Sequence, residues 1–259
     1  MGDWNHIRID RDGWLASLTL SRPPVNALSR DMVGELVDAA EEITGDNGVS
    51  VVIIRSDQQQ FCAGADLKER EAMQRDQVSG VVESIRHWFD MIARLPQPTI
   101  ASVHSGAIGG GAELALACDL RLMSDDVRFG FSEVSLGIIP GGGGTQRLPR
   151  LIGLSKAKEL IFTARLLDSS ECLRLGLADR VVPRPDLDQS VAAFAKDLTR
   201  NAPLALRAAK RAIIEGYDLP LEKALGSEGQ AYDSLIRTKD REEGLKAFLE
   251  KRTPLWKGE

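Results

Sequence analysis

Apolar and polar residues alternate from His6 to Asp10 and again from Trp14 to Leu20, on either side of Arg11-Asp12-Gly13. A period of two interrupted by a glycine-containing turn predicts an antiparallel hairpin. The period then lengthens. Met32, Leu36, Ala39, Ala40 and Ile43 recur at helical spacing behind Ser29, which predicts a capped helix to about Ile43, with Asp31 favouring its first turn and Gly45 to Gly48 ending it. Val51 to Ile54 is a continuous β-branched run, and Thr99 to Val103 after Pro96 and Pro98 is similar. Such runs predict strands covered on both faces. Val82, Ile85, Phe89 and Ile92 place a long helix between them, while Leu120 to Met123 and Val127 to Phe131 add short strands. To about Gly130 the order is that of a layered α/β fold.

After Gly144 the pattern is read as helical throughout: Ser155 to Phe162, Ser169 to Leu175, Leu187 to Arg200, Pro203 to Glu215, Glu222 to Ile236 and Lys239 to Lys251. No sequence repeat and no low-complexity linker separates the two parts, so they are expected to pack tightly.

Composition narrows the classes. With 259 residues, 43% apolar and 27% charged, the chain is long enough for a sizeable core and has the make-up of a soluble globular protein. Its net charge of -5 argues against a general nucleic-acid binder. Cys62, Cys118 and Cys172 are odd in number and form no CxxC pair, so neither a disulfide framework nor a zinc site is suggested. There is no long apolar run and the N-terminus resembles no signal or transit segment, so a cytoplasmic protein is expected.

Two glycine-rich loops carry the first chemical signal. Gly106-Ala107-Ile108-Gly109-Gly110-Gly111 joins a predicted strand to a helix from Ala112 to Cys118, and the free N–H groups of a helix start can hold an anion or a developing oxyanion. A tight packing turn is the plainer reading of the same run. Phe61-Cys62-Ala63-Gly64-Ala65-Asp66-Leu67-Lys68-Glu69 likewise leads from a strand into a helix. Two such loops together matter more than either alone, because an acyl oxyanion hole needs two convergent donors. Glu113 lies in the first turn of the glycine-led helix and Glu133 follows the strand ending at Phe131. Each is either a solvated carboxylate or one of a pair facing a single water, where burial and repulsion let an acid and a base coexist near neutral pH. Ile138-Ile139-Pro140 and Gly141 to Gly144 form either a pocket loop or a connector to a helix at Thr145.

The segments FCAGADLKE, HSGAIGGGAELALACDLRL and FGFSEVSLGIIPGGGGTQRLPRLIG, in this order and spacing, resemble the crotonase or enoyl-CoA hydratase/isomerase family. The runs AKELIFTARLLD and TKDREEGLKAFLEKRTPLWKGE look most similar to its 3-methylglutaconyl-CoA hydratase branch. The resemblance implies a ββα spiral core over residues 1–200, holding the CoA-thioester site, and a helical trimerisation region over 201–259, assembled as a trimer or a dimer of trimers. It implies that the N–H groups of Ala65 and Gly110 form an oxyanion hole for the thioester carbonyl. Glu113 and Glu133 match the two hydratase glutamates, Glu113 as the base acting on water and Glu133 as the acid. Ala63, Asp66, Leu67, Lys68, Gly109, Pro140 and Gly141 are expected to contact substrate. No metal or redox cofactor is implied, since CoA is part of the substrate. Lys68, Lys251 and Arg252 are candidates for its phosphates, with solvated surface cations as the plainer reading.

Two alternatives accompany the hydratase. A Δ3,Δ2-enoyl-CoA isomerase moves protons without adding water, and the presence of both glutamates favours hydration over it. An RNA-binding role belongs to a eukaryotic relative with a lysine-rich helix. The corresponding segment here, SRDMVGELVDAAEEI, is acidic, which opposes phosphate contact. A Ser-His-Asp hydrolase has no GxSxG motif to support it.

Overall fold

The computed structural model describes residues 4–259. In chain order the strands are β1 (Ile7–Asp12), β2 (Leu15–Leu20), β3 (Ala27–Leu28), β4 (Val51–Ser56), β5 (Gly64–Ala65), β6 (Thr99–Val103), β7 (Gly106–Ile108), β8 (Leu120–Ser124), β9 (Arg128–Gly130), β10 (Leu166–Leu167) and β11 (Arg180–Val182). The helices are α1 (Arg30–Gly45), α2 (Leu67–Ala72), α3 (Arg75–Arg94), α4 (Gly110–Ala117), α5 (Gly144–Ile152), α6 (Leu154–Thr163), α7 (Ser169–Leu175), α8 (Leu187–Thr199), α9 (Pro203–Gly216), α10 (Leu221–Asp233) and α11 (Lys239–Glu250).

The chain alternates between two layers. One is a sheet in the order β1-β2-β4-β6-β8-β11, antiparallel only between β1 and β2. The other consists of the short pairs β3-β5 and β7-β9-β10, linked by a single bridge between Cys62 and Ala107. Each repeat supplies one strand to the large sheet, one to the small layer, and then helix: β2-β3-α1, β4-β5-α2-α3, β6-β7-α4, and β8-β9 leading through a 3-10 turn to α5. This is the ββα spiral.

The β-branched run of β4 shows why the large sheet is buried on both faces. Side chains alternate across a strand. Val52 and Ile54 join the main core with Leu36 and Ile43 of α1 and Trp88 and Phe89 of α3, whereas Val51 and Ile53 pack with Leu187, Val191 and Ala195 of α8. At about 25 cal/mol per Å² of apolar surface removed from water, this two-sided burial is the largest favourable contribution to the fold.

The segment after Gly144 is not wholly helical, which corrects the sequence expectation. Arg180–Val182 pairs in parallel with Leu122–Ser124 and completes the large sheet, and Leu166–Leu167 pairs with Phe129–Gly130. Both strands are too short to show a period, and their partners lie far away in sequence. The last helices are tied back by polar contacts. Lys210 of α9 is buried and its Nζ donates to Asp119 at 2.6 Å and to the Gln97 carbonyl at 3.0 Å. Asp240 of α11 accepts the N–H groups of Lys257 and Gly258, fixing the C-terminal tail. Among the described residues no helix is long and apolar enough to cross a membrane.

Candidate functional site

The junctions between the short strands and the helices of successive repeats open on one cleft of about 950 Å³. Its floor is backbone. Gly110 is the first residue of α4, so its N–H has no acceptor within the helix. Asp66 donates its N–H to the Leu28 carbonyl on β3. Successive N–H groups of a strand point in opposite directions, so that of Ala65 is turned the other way, towards α4. A Cβ built on Gly110 would stand 3.7 Å from the Ala65 nitrogen, which measures how closely the two donors approach.

Glycine is required here because repeats touch backbone to backbone. Gly109 has φ 56° and ψ -120°, a conformation costly for any side chain, and a Cβ there would lie 2.9 Å from Glu133 Oε1. A Cβ on Gly111 would meet the Cys62 carbonyl oxygen at 2.0 Å, so the segment before β5 and α4 dock only with a glycine between them.

Two carboxyl groups face this floor. Glu113, one turn into α4, is only 3% exposed, and its Oε1 accepts the N–H groups of Gly142 at 2.8 Å and Gly144 at 2.7 Å. Burial pushes its pKa up to about 7, the neighbouring Glu133 adds to the rise, and the two N–H donors and the Arg147 guanidinium oppose it. Glu133 begins the 3-10 turn Glu133–Leu136, is 9% exposed, and is raised by burial as well. Its Oε2 is buried with no hydrogen-bond partner. A pair of buried carboxyls with raised proton affinities can hold one proton between them near neutral pH.

The chain is matched over residues 10–259 by the family described as "Enoyl-CoA hydratase/isomerase". The chain belongs to the enoyl-CoA hydratase/isomerase family. It is 47% identical over 239 residues to the human methylglutaconyl-CoA hydratase, mitochondrial, covering 90% of this chain and 70% of that protein. It is 44% identical over 249 residues to the Arabidopsis thaliana probable enoyl-CoA hydratase 2, mitochondrial, covering 95% and 83%. The crystal structure of an enoyl-CoA hydratase from Bacillus anthracis superposes with a TM-score of 0.96 at 44% identity, covering 98% of this chain and all of that one, so the fold is the crotonase fold of the family.

The structure brings most of the family-matched residues to the cleft and leaves some outside. Ala63, Ala65, Leu67, Gly109, Gly110, Glu113, Glu133 and Gly141 line it. Asp66, Lys68 and Pro140 lie outside this lining. Asp66 is the N-cap of α2, accepting from the N–H groups of Lys68 and Glu69, and pairs with Arg22 at 2.7 Å. An aspartate three residues before Glu69 is itself a helix-start signal that the sequence offered. Lys68 is solvent-exposed, and Pro140 is buried against Gly144. Arg252 is committed to Glu243 and Glu250. His104 is buried with its ring Nε2 at the Gln58 carbonyl and lies away from the cleft.

Sequence reasoning offered Ile138 and Ile139 as a pocket loop but missed the helical side of the upper wall. Val78, Val82 and Ile85 of α3 face Leu136, Ile138 and Ile139 across the cleft, and Arg70 and Arg86 interrupt this apolar lining. The α3 residues recur at helical spacing, but nothing in the pattern says whether a given stripe meets core or cavity. Among the described residues no three His, Cys, Asp or Glu side chains cluster as a metal site would require.

Proposed function

We propose that the protein hydrates a 2-enoyl-CoA to a 3-hydroxyacyl-CoA, with CoA entering as part of the substrate and no metal or redox cofactor required. The observation that carries this reading is the pair of buried carboxyls, Glu113 and Glu133, beside the adjoining N–H groups of Ala65 and Gly110. The thioester oxygen accepts those two hydrogen bonds. Ionised Glu113 takes a proton from water as its oxygen bonds to C3, and the C2–C3 π electrons move to the thioester as an enolate. Fixed dipoles in a buried site stabilise that charge more than mobile water does. Protonated Glu133, whose Oε2 has no partner of its own, delivers its proton to C2. One water is added, and a proton passes from Glu113 back to Glu133 to reset the pair.

A short or branched acyl chain fits the apolar wall, and 3-methylglutaconyl-CoA is the substrate proposed first. The human relative named for that compound supports it, and so do Arg70 and Arg86, which offer cations to a distal carboxylate in an otherwise apolar lining. Burial disfavours the charged Arg70 guanidinium, which gives a carboxylate partner added value. The proposed setting is the cytoplasm, and the proposed assembly is a trimer or a dimer of trimers. The exposed Leu221, Phe248 and Leu249 of α10 and α11 supply apolar surface for it. Loss of the enoyl-thioester absorbance, followed in parallel for crotonyl-CoA and 3-methylglutaconyl-CoA, tests the reaction. Double-bond migration with no water uptake would make the protein an isomerase instead.

A further inference from the structure

Arg147 lies on α5, one turn beyond the glycine loop, and does not line the cleft. Its guanidinium nevertheless organises the cleft wall from behind. Nη1 donates to the Gly142 carbonyl at 2.8 Å and Nη2 to Asp90 of α3 at 3.1 Å. The loop is built around this group: Gly143 has φ 111°, and a Cβ there would fall 2.2 Å from Nη1. The residues held in this way, Gly142 and Gly144, are the two whose N–H groups donate to Glu113 Oε1.

We propose that Arg147 is a positioning residue for Glu113, fixing the loop that presents two N–H donors to its carboxylate and placing a positive charge behind it. This rests on Glu113 being the hydratase base. The charged and titratable groups around Glu113 are consistent with the role. Glu133 faces it across the cleft and raises its proton affinity, whereas Arg147 lowers it. Asp90, with Arg94 beyond it, stands behind Arg147 on α3. Asp90 is 51% exposed against 21% for Arg147, so solvent screens the carboxylate more than the guanidinium. Cys118, at the end of the same helix as Glu113, is a buried thiol pushed up to about 12 and carries no charge at working pH.

Two substitutions separate orientation from charge, and Glu113→Gln serves as the reference for the underlying reading. Arg147→Gln keeps a donor for the Gly142 carbonyl but removes the charge. The acid limb of its kcat/KM profile should move up, because removing a positive charge that opposes the rise lifts the proton affinity of Glu113 further. Arg147→Lys keeps the charge but cannot bridge Gly142 and Asp90 together. Its acid limb should stay in place while kcat falls roughly ten-fold, as small misplacements of a catalytic group do. KM should be unchanged in both, since Arg147 does not reach the cleft. Melting temperature and assembly size show whether each variant folds, and should Arg147→Gln not fold, Arg147→Lys carries the test alone. Wild-type kcat in Arg147→Lys, or a limb that stays put in folded Arg147→Gln, overturns the proposal. So does a change confined to KM. If Glu113→Gln itself hydrates at the wild-type rate, the base assignment falls first and the role of Arg147 falls with it.

Discussion

Replacing Glu113 by glutamine should make the protein more stable at the pH where it works, and the structure says by how much. The glutamine side chain has nearly the same shape, and its carbonyl oxygen can still accept the N–H groups of Gly142 and Gly144. What it removes is an ionisation. In the folded chain the Glu113 carboxyl titrates at about 7 against an ordinary value of 4.5. Between those values the unfolded chain has released this proton and the folded chain still holds it, so wild-type stability falls as pH rises through the window and levels off above it. At about 1.4 kcal/mol per pKa unit the accumulated loss approaches ~3 kcal/mol. Coupling to Glu133 and local relaxation make this a ceiling. Relative to wild type, Glu113→Gln should therefore gain little at pH 4, progressively more up to pH 7, and a constant amount beyond. Denaturant unfolding at fixed protein concentration across pH 4 to 8 measures the difference directly. A flat difference would refute the reasoning, since it would mean that the buried carboxylate costs the fold nothing.

The same variant should lose hydration by about 100-fold to 10,000-fold, as should Glu133→Gln, and the double variant should lose far less than the product, because both groups act on one reaction step. Progress curves of enoyl-thioester absorbance decide it, and normal hydration by either single variant removes that residue from the mechanism. Gly110→Pro deletes one N–H at a helix position that tolerates proline and should lower turnover by about 100-fold in a folded protein. Wild-type turnover in such a protein would show that this N–H is not an essential donor. Lys210→Met removes the 2.6 Å partner of Asp119, which keeps the N–H and hydroxyl of Thr99 as donors, and should cost about 1–3 kcal/mol in denaturant unfolding, with kcat of the surviving folded enzyme unchanged. Single-stranded AU-rich RNA should not bind at physiological salt, because α1 presents Asp31, Glu35, Asp38, Glu41 and Glu42. Submicromolar binding by fluorescence anisotropy, with a steep salt slope, would overturn that expectation.

Where side chains repeat with a clear period, the sequence is informative. The hairpin of β1 and β2, the cap of α1 at Ser29 and the two-faced strand β4 could be read because local chemistry and long-range packing ask for the same residues there. Gly106-Ala107-Ile108 of β7 has no alternating pattern to mark it as a strand, and the three residues of β11 beside Pro183 carry almost no period. Their strand character comes from partners elsewhere in the chain. The glycines and both glutamates stand out through their place in family-like motifs, whereas the role of Arg147 depends on directions in space. Arg147 reaches a residue 57 positions away.

The seam between neighbouring repeats bears on how the protein comes to life after synthesis. Cys62 donates its N–H to the Gly106 carbonyl and its own carbonyl accepts the N–H of Ile108, so the segment leading into β5 is stitched to β7 across a single residue. Ala65 and Gly110 lie just beyond this stitch, one in each repeat. Neither repeat contains a complete oxyanion-binding pair by itself. Catalytic competence on this scaffold is therefore a signal of docking rather than of local folding. In a refolding experiment, the return of turnover would time the meeting of the second and third repeats with the fourth, which carries Glu133, even if helix content had recovered well before.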